Sequence, residues 1–224
     1  MRKSVCLVLL TALALTAAAS VLADPAGDRL EARLPQRFPA PEPDQSPAQG
    51  KFLVASRQIK DPHFMRTVIL LIEYGKSGAV GLIVNRPTKA RLSEALPEVE
   101  GLQERDDFLY FGGPVALNEL FLLVRSETEP EDSTQVFGRV YASSSEALLK
   151  RLSKEGEAGK SFRGYMGYSG WAPGQLEGEL AHGDWHVIEA DEASIFEKPP
   201  EEVWPDLIRR TESLQVMLGG QGAP

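Results

Sequence analysis

The side chains best suited to recognise an anion follow the apolar run "GAVGLIV". Asn85 and Arg86 come directly after it, and Thr88 follows two residues later. Arginine presents a rigid fork of donors that matches a carboxylate or a phosphate. If the backbone N–H groups of Gly112 and Gly113 in "FGGPV" face the same cleft, they complete an anion pocket. The alternative is structural, because a half-buried arginine is more often an internal partner than a ligand clamp.

In that structural alternative, Arg86 pairs with a carboxylate such as Glu73 or Glu177, and the two glycines only shape a turn. Two further stretches carry unusual local chemistry. In "DPHF", the Asp61 carboxylate precedes a proline and can accept from the following backbone N–H groups. In "GYSGWAPGQLEGE", glycines and aromatic side chains surround a strand-to-helix junction. The candidate ligand-binding surface comprises Asp61, Asn85, Arg86, Thr88, Gly112, Gly113, Tyr168, Trp171 and Gln175.

Two catalytic alternatives remain open. Ser169 lies in "GYSGW", but a hydrolase nucleophile elbow needs glycine two residues after the serine, and Trp171 stands there. A general base would have to come from the histidines, which are His63, His182 and His186. No catalytic residue is assigned.

The array His182, Asp184 and His186 offers imidazole and carboxylate ligands that suit zinc or iron, provided that all three side chains lie on one face of a strand. Against this, His182 and Gly183 fit the end of a helix, where the imidazole would favour the helix dipole. The array is therefore a weak metal candidate, and we expect no cofactor.

Composition excludes several other classes of site. The 224-residue chain is 42% hydrophobic and 25% charged, which is typical of a globular protein. Its formal charge of −8 becomes −10 without the two cations that precede the first acidic residue, so we expect no direct binding of nucleic acid. Cys6 is the single cysteine, and it lies in the leader described next, so the remainder has no thiolate metal site, cysteine nucleophile or disulfide.

The first 23 residues have the layout of a secretory signal peptide. Arg2 and Lys3 precede an apolar stretch at 5–19, and small or branched residues come just before Asp24. We expect export, most simply to the periplasm. The alternative is an uncleaved N-terminal anchor, which would be the only membrane contact.

Proline then separates this leader from the folded part of the chain. Residues 24–50 hold six prolines, which favour an extended spacer. One domain is predicted at 51–210, and residues 211–224 are the end of a helix and a flexible tail. Strands are predicted at 51–56, 67–74, 78–85, 108–113, 120–125, 162–170 and 185–190, and helices at 144–154, 173–181 and about 205–217. Ser143 and Glu146 have capping-box spacing for the first helix, Pro87 should stop the third strand, and the clustering of strands favours an α+β fold.

The order of five stretches resembles the AlgH/YqgE family. They are "FLVAS", "DPHF" followed by "TVILLIEY", "GAVGLIVNRPT", "YFGGPV" and "GYSGWAPGQLEGE", and the resemblance runs from about Lys51 to Arg210. It implies an α+β fold with a bifurcated sheet curled into a barrel-like core and with helical insertions. Family members are often labelled transcriptional regulators, but no established enzymatic chemistry comes with the family. Typical members are short and lack an export signal, which this chain has.

The function expected from these observations is a non-enzymatic binding or regulatory module for a small anionic ligand or a partner protein. A metal-dependent or serine hydrolase is the first alternative. A cytoplasmic transcriptional regulator is the second, and it requires that the leader not act as an export signal.

Overall fold

The computed structural model of the protein describes residues 45–103, 105–154 and 162–219, with side chains described up to residue 213. The predicted leader, residues 24–44 of the predicted spacer and residues 220–224 of the predicted tail lie outside these ranges. Within the described ranges, no helix is both long and apolar enough to span a membrane.

The described residues form one mixed array of strands and helices. The strands are β1 (Lys51–Ala55), β2 (Val68–Gly75), β3 (Gly78–Ile83), β4 (Pro87–Arg91), β5 (Phe108–Phe111), β6 (Val115–Arg125), β7 (Thr134–Phe137), β8 (Val140–Ser143), β9 (Phe162–Trp171) and β10 (Trp185–Glu189). The helices are α1 (Leu92–Ala95), α2 (Glu146–Lys154), α3 (Gln175–His182), α4 (Glu192–Phe196) and α5 (Pro200–Gly219).

The sheet forks at β9. Its main path runs β10-β1-β2-β3-β9-β6-β8-β7 with antiparallel neighbours. The second half of β9 pairs with β3 from Ser169 to Trp171, whereas Tyr165 and Met166 pair in parallel with β5, which carries β4 on its other edge. The expected α+β fold with a bifurcated sheet is confirmed.

The sheet also curls, so that β7 approaches β2. The Gln49 side chain donates to the Gln135 carbonyl of β7 at 2.7 Å, and the Gly50 N–H donates to the Leu71 carbonyl of β2 at 2.9 Å. Residues 49 and 50, at the end of the predicted spacer, therefore lie against the sheet and bridge its two sides.

Apolar burial explains why the central strands form. The run Val68–Ile72 in β2 is buried throughout, as its unbroken Val, Ile and Leu composition predicts. A larger core packs the sheet against α3, α4 and α5, and a smaller core packs β6 and β9 against α2 and the 92–109 segment. In both cores the helices pack on the sheet, so the strand ends and turns remain at the surface and can form sites.

Two predictions about the helices are wrong. The last helix begins at Pro200, not near Pro205, because a proline fits the first position of a helix and a buried stripe of side chains holds the following turn on the sheet. Helix α2 is capped by Ser145, whose Oγ accepts from the Leu148 N–H at 3.2 Å, whereas Ser143 donates to the Asp132 carbonyl.

The strands β4, β7 and β8 and the helices α1 and α4 were not predicted. The prediction that Pro87 stops the third strand is also wrong: β3 ends at Ile83, and Pro87 opens β4. Among the described strands β4 pairs with β5 alone, so it tolerates a residue without an N–H.

Candidate functional site

Arg86 clamps the turn that leads into β2. Its Nη1 donates to the carbonyls of Pro62 at 3.0 Å and His63 at 2.7 Å, and its Nη2 donates to the carbonyl of Met65 at 3.1 Å. Burial lowers the pKa of the Arg86 guanidinium, and the charge of Asp61 opposes that shift. These contacts give Arg86 a structural role, as in the alternative to an anion site. Its partners are backbone carbonyls, however, and not a carboxylate such as Glu73 or Glu177.

Two neighbours of Arg86 organise the same turn. The Asn85 Oδ1 accepts from the Val68 N–H at 2.9 Å, while its Nδ2 donates to the Arg66 carbonyl at 3.0 Å. At the start of the turn, the Asp61 Oδ1 accepts from the His63 N–H at 2.7 Å, which confirms the role predicted for this carboxylate in the backbone. The three polar side chains thus hold one loop in one conformation.

The glycine pair lies at the fork of the sheet. The Gly112 N–H donates to the Met166 carbonyl of β9, and the Gly112 carbonyl accepts from the Ile83 N–H of β3, both at 2.9 Å. A Cβ at Gly112 would lie 2.2 Å from the Gly167 oxygen, and one at Gly113 would lie 2.2 Å from the Tyr168 carbonyl carbon. The absence of side chains lets three strands meet, and the Gly112 N–H is already bonded.

Glu179, which the sequence analysis did not single out, is the centre of the strand-to-helix junction. Its Oε2 accepts from the indole N–H groups of Trp171 and Trp185, both at 2.8 Å, and its Oε1 accepts from the Gln175 side chain at 2.9 Å. The two indole rings pack edge to face with centroids 6.2 Å apart. The signal that could have found Glu179 is its i+4 spacing from Gln175 on α3.

The remaining predicted residues do not assemble a catalytic centre. The Ser169 hydroxyl is buried and donates to the Gly112 carbonyl at 3.3 Å. His182 ends α3 and contacts Asp184 at 3.0 Å, Gly183 caps the helix in the left-handed conformation, as predicted, and His186 lies on β10. Among the described residues, no group of three potential ligands could hold a metal ion.

Thr88 stands apart from the other candidates. It lies on β4, where its Oγ1 accepts from the Ala90 N–H at 3.1 Å. The hydrogen bond is local and leaves Thr88 outside the groups formed by Arg86, Gly112 and Trp171.

Two adjoining cavities open along the curled sheet, and we call them together the Tyr168 groove. Their volumes are about 580 and 440 Å³, and they share Gln49 and Glu73 in their walls. Tyr168 lines the first and Phe121 the second, and the two rings pack edge to face with centroids 5.7 Å apart. The first is lined by Gln49, Glu73, Tyr74, Gly75, Ser77, Gly78, Ala79, Val80, Val115, Tyr168, Gly170 and Trp171. The second is lined by Gln49, Ile72, Glu73, Phe121, Asp132, Ser133, Thr134, Ala142, Ser143 and Ser144.

The charged side chains that line the groove are acidic. Glu73 lines both cavities and Asp132 lines the second, whereas the described wall residues include no lysine or arginine. Of the nine predicted ligand-binding residues, Tyr168 and Trp171 line the groove. Tyr74 also lines it, and its hydroxyl donates to Glu177 at 2.6 Å, which lowers the pKa of that carboxyl and fixes α3 beside the groove.

The model of the AlgH-like family matches residues 52–214 of this chain. The chain belongs to the AlgH-like family. The UPF0301 protein azo3459 of Azoarcus sp. is 38% identical over 155 residues, which cover 67% of this chain and 82% of that protein. A UPF0301 protein of Streptomyces avermitilis is 32% identical over 175 residues, covering 75% of this chain and 89% of the relative.

Solved structures of the AlgH-like family share the fold. The solution structure of AlgH from Pseudomonas aeruginosa is 31% identical and superposes with a TM-score of 0.63, covering 79% of this chain and 95% of that one. The crystal structure of protein DIP2367 from Corynebacterium diphtheriae is 26% identical, with a TM-score of 0.62 and coverage of 74% and 87%. The AlgH-like family has no established biochemical function, so the matches assign a fold and no activity.

Proposed function

We propose that the AlgH-like domain is a non-enzymatic binding module whose Tyr168 groove takes an extended, basic segment of a partner protein. The observation that carries this proposal is the groove itself: two adjoining cavities with the Tyr168–Phe121 aromatic pair in their walls and Glu73 shared between them. Rigid aromatic side chains supply contact area at a low cost in conformational entropy, which suits them to binding protein segments.

The size and charge of the groove favour a peptide segment. Each cavity lies within the range of about 300–1,000 Å³ that is typical of ligand sites, and a chain in extended conformation can occupy two neighbouring cavities in turn. The carboxylates of Glu73 and Asp132, together with the chain's formal charge of −8, attract lysine and arginine and repel polyphosphates.

A small anion is a poorer match for the residues first considered for it. The Arg86 guanidinium donates to three backbone carbonyls, and the Gly112 N–H donates to Met166. Binding an anion with these groups would require breaking internal hydrogen bonds, which would offset the gain.

A peptide-display selection tests the proposal. A random library of twelve-residue peptides is selected on the purified protein, and the best binder is measured by fluorescence anisotropy against wild type, Glu73→Lys and Glu98→Lys. Glu98 is exposed and lies outside the walls of the groove, so its variant is a matched control for charge reversal. We expect basic peptides to be enriched.

The charge-reversal variant gives the magnitude. A contact between unit charges at 4 Å in water contributes about 1 kcal/mol, so replacing an attraction by a repulsion changes binding by about 2 kcal/mol, or about thirty-fold at low salt. Glu98→Lys should change the affinity less than about twofold. Selected peptides without basic residues, or equal effects of the two variants, would contradict the proposal.

We also propose that residues 1–23 direct export and are removed. The basis is the sequence pattern of Arg2 and Lys3 before an apolar stretch. Intact-mass analysis of the protein from a bacterial periplasmic fraction should give a chain that begins at Asp24. A full-length chain in the membrane fraction would indicate the anchor instead.

A further inference from the structure

A second group of polar side chains lies in the first half of β9, where it adjoins the larger core and does not line the Tyr168 groove. Arg163 and Tyr165 are two residues apart on this strand, so their side chains leave it on the same side. Tyr110 of β5 lies directly opposite Tyr165, with ring centroids 5.4 Å apart, and the Arg163 Cζ lies 4.8 Å from the centre of the Tyr110 ring.

Two donors in this group lack an acceptor. The Tyr165 side chain is fully buried, and its O–H has no acceptor within hydrogen-bond distance among the described residues, although the neighbouring Arg163 guanidinium lies close enough to stabilise its oxygen. The Arg163 Nη1 is also buried, and it too has no hydrogen-bond partner in the described part of the chain. Buried donors without acceptors are rare in folded proteins, because they lose their bonds to water and gain nothing in return. Two together, one of them cationic, indicate a position where an acceptor belongs.

The nearby carboxylates are committed elsewhere or lie at a distance. Asp107 pairs with Arg105 at 2.9 Å, and Glu201 is exposed at the start of α5. Both raise the pKa of Tyr110 through their charge, but neither forms an ion pair with Arg163 within the described residues. In the described part of the chain, the Arg163 guanidinium instead packs on the face of the Tyr110 ring.

The protonation states keep both donors available. Burial raises the pKa of the Tyr165 hydroxyl well above its usual range, and Arg163 offsets only part of that shift. Burial also raises the pKa of Tyr110. At neutral pH these hydroxyls carry their protons, so the Tyr165 O–H can donate to an incoming oxygen.

We propose that Arg163 and Tyr165 form an internal site for one oxyanion, a carboxylate or phosphate group, which accepts from the Arg163 Nη1–H and the Tyr165 O–H. The Tyr110 ring holds the guanidinium from its face. Arg163 as a whole is only half-buried, so part of this residue reaches the surface beside the buried hydroxyl. None of Arg163, Tyr165 and Tyr110 lines the Tyr168 groove, so a peptide in that groove is not needed to fill the site.

The test uses isothermal calorimetry and thermal unfolding of the full chain with sodium phosphate, acetate and citrate, against sodium chloride at matched ionic strength. At least one oxyanion should bind saturably and raise the unfolding temperature, and the comparison of phosphate with the two carboxylates identifies the group that fits. Tyr165→Phe removes one donor but keeps the aromatic ring, so the affinity of this variant for the oxyanion should be at least tenfold weaker than that of wild type. Tyr141→Phe, at another buried tyrosine, should bind like wild type.

The unfolding temperature of the ligand-free protein gives a second test, which does not depend on oxyanion binding. Because Tyr165→Phe removes an unpartnered hydroxyl, its unfolding temperature in chloride should equal or exceed that of wild type. Arg163→Met, which keeps most of the apolar stem, should abolish the oxyanion response. The proposal is overturned if no oxyanion binds saturably, if Tyr165→Phe and wild type bind equally, or if Tyr165→Phe loses stability in chloride as a tyrosine with an internal acceptor would.

Discussion

Replacing Glu179 by alanine should destabilise the fold far more than replacing Glu177, which lies two residues earlier on the same helix. The Glu179 carboxylate accepts from the indoles of Trp171 and Trp185 and from Gln175. Both tryptophans are buried, with exposed fractions of 7% and 5%, so water cannot readily replace the lost acceptor. Glu177 is exposed, and its side-chain contact is the Tyr74 hydroxyl.

The expected size of the effect follows from the two indole bonds. A hydrogen bond to a charged group contributes about 1.5–3 kcal/mol, and the low end applies because Glu179 is only half-buried. Two such bonds give a loss of about 3 kcal/mol for Glu179→Ala. For Glu177→Ala we expect less than about 1 kcal/mol, because exposed polar contacts contribute little.

Urea unfolding at pH 7, followed by tryptophan fluorescence and by circular dichroism, measures both variants. With a slope of about 2 kcal/mol per molar, Glu179→Ala should lower the midpoint by about 1.5 M and Glu177→Ala by less than about 0.5 M. Glu179→Gln keeps one oxygen acceptor and should fall between them. If the two alanine variants lose equal stability, the junction is not held by the Glu179 carboxylate, and its assignment as the structural centre of the motif is wrong.

Three further outcomes follow from other contacts. Arg86→Ala should cost about 2 kcal/mol in urea unfolding, since three loop carbonyls lose a half-buried donor, whereas the exposed Arg209→Ala should change stability by less than about 0.5 kcal/mol. Gly113→Ala should fail to reach the native unfolding temperature, because its Cβ would meet backbone at 2.2 Å, while Gly178→Ala meets nothing within 4 Å in its helix and should gain about 0.5–1 kcal/mol. Burial lowers the pKa of His186, so protonation favours the unfolded chain; wild type should lose stability relative to His186→Gln as the pH falls through the unfolded pKa of about 6.5 toward the lower pKa of the folded state, and equal pH profiles would contradict this.

Sequence patterns predicted the parts of the fold that depend on local composition. The unbroken apolar run of β2 and the glycine that ends α3 are both where the pattern placed them. The short strands β7 and β8 were missed because four residues with a mixed pattern, such as "TQVF", become a strand only through pairing with partners brought there by the curl of the sheet. The start of α5 was missed because Pro205 was treated as a first residue, although packing on the sheet tolerates it inside the helix.

The same distinction applies to the candidate site. The role of Asp61 could be predicted because its carboxylate is close enough in sequence to accept from the N–H group two residues later. The partners of Arg86 could not, since three carbonyls converge on it only after the turn before β2 has folded against the end of β3. Arg163 and Tyr165 lie in a strand that was predicted, but they were not predicted as site residues. Their spacing in the sequence does not show that both donors are buried without an acceptor.

The motifs that identify the family are therefore mainly the residues that build its fork and turns. Arg86 and Asn85 hold the loop before β2, Gly112 joins β3 to β9, and Glu179 joins α3 to the sheet. A polar group whose hydrogen bonds are made inside the protein must give them up before it can bind a ligand, and the net gain is then small. Recognition chemistry should accordingly be sought among side chains that the fold leaves uncommitted: the carboxylate of Glu73 in the groove, and the buried donors of β9.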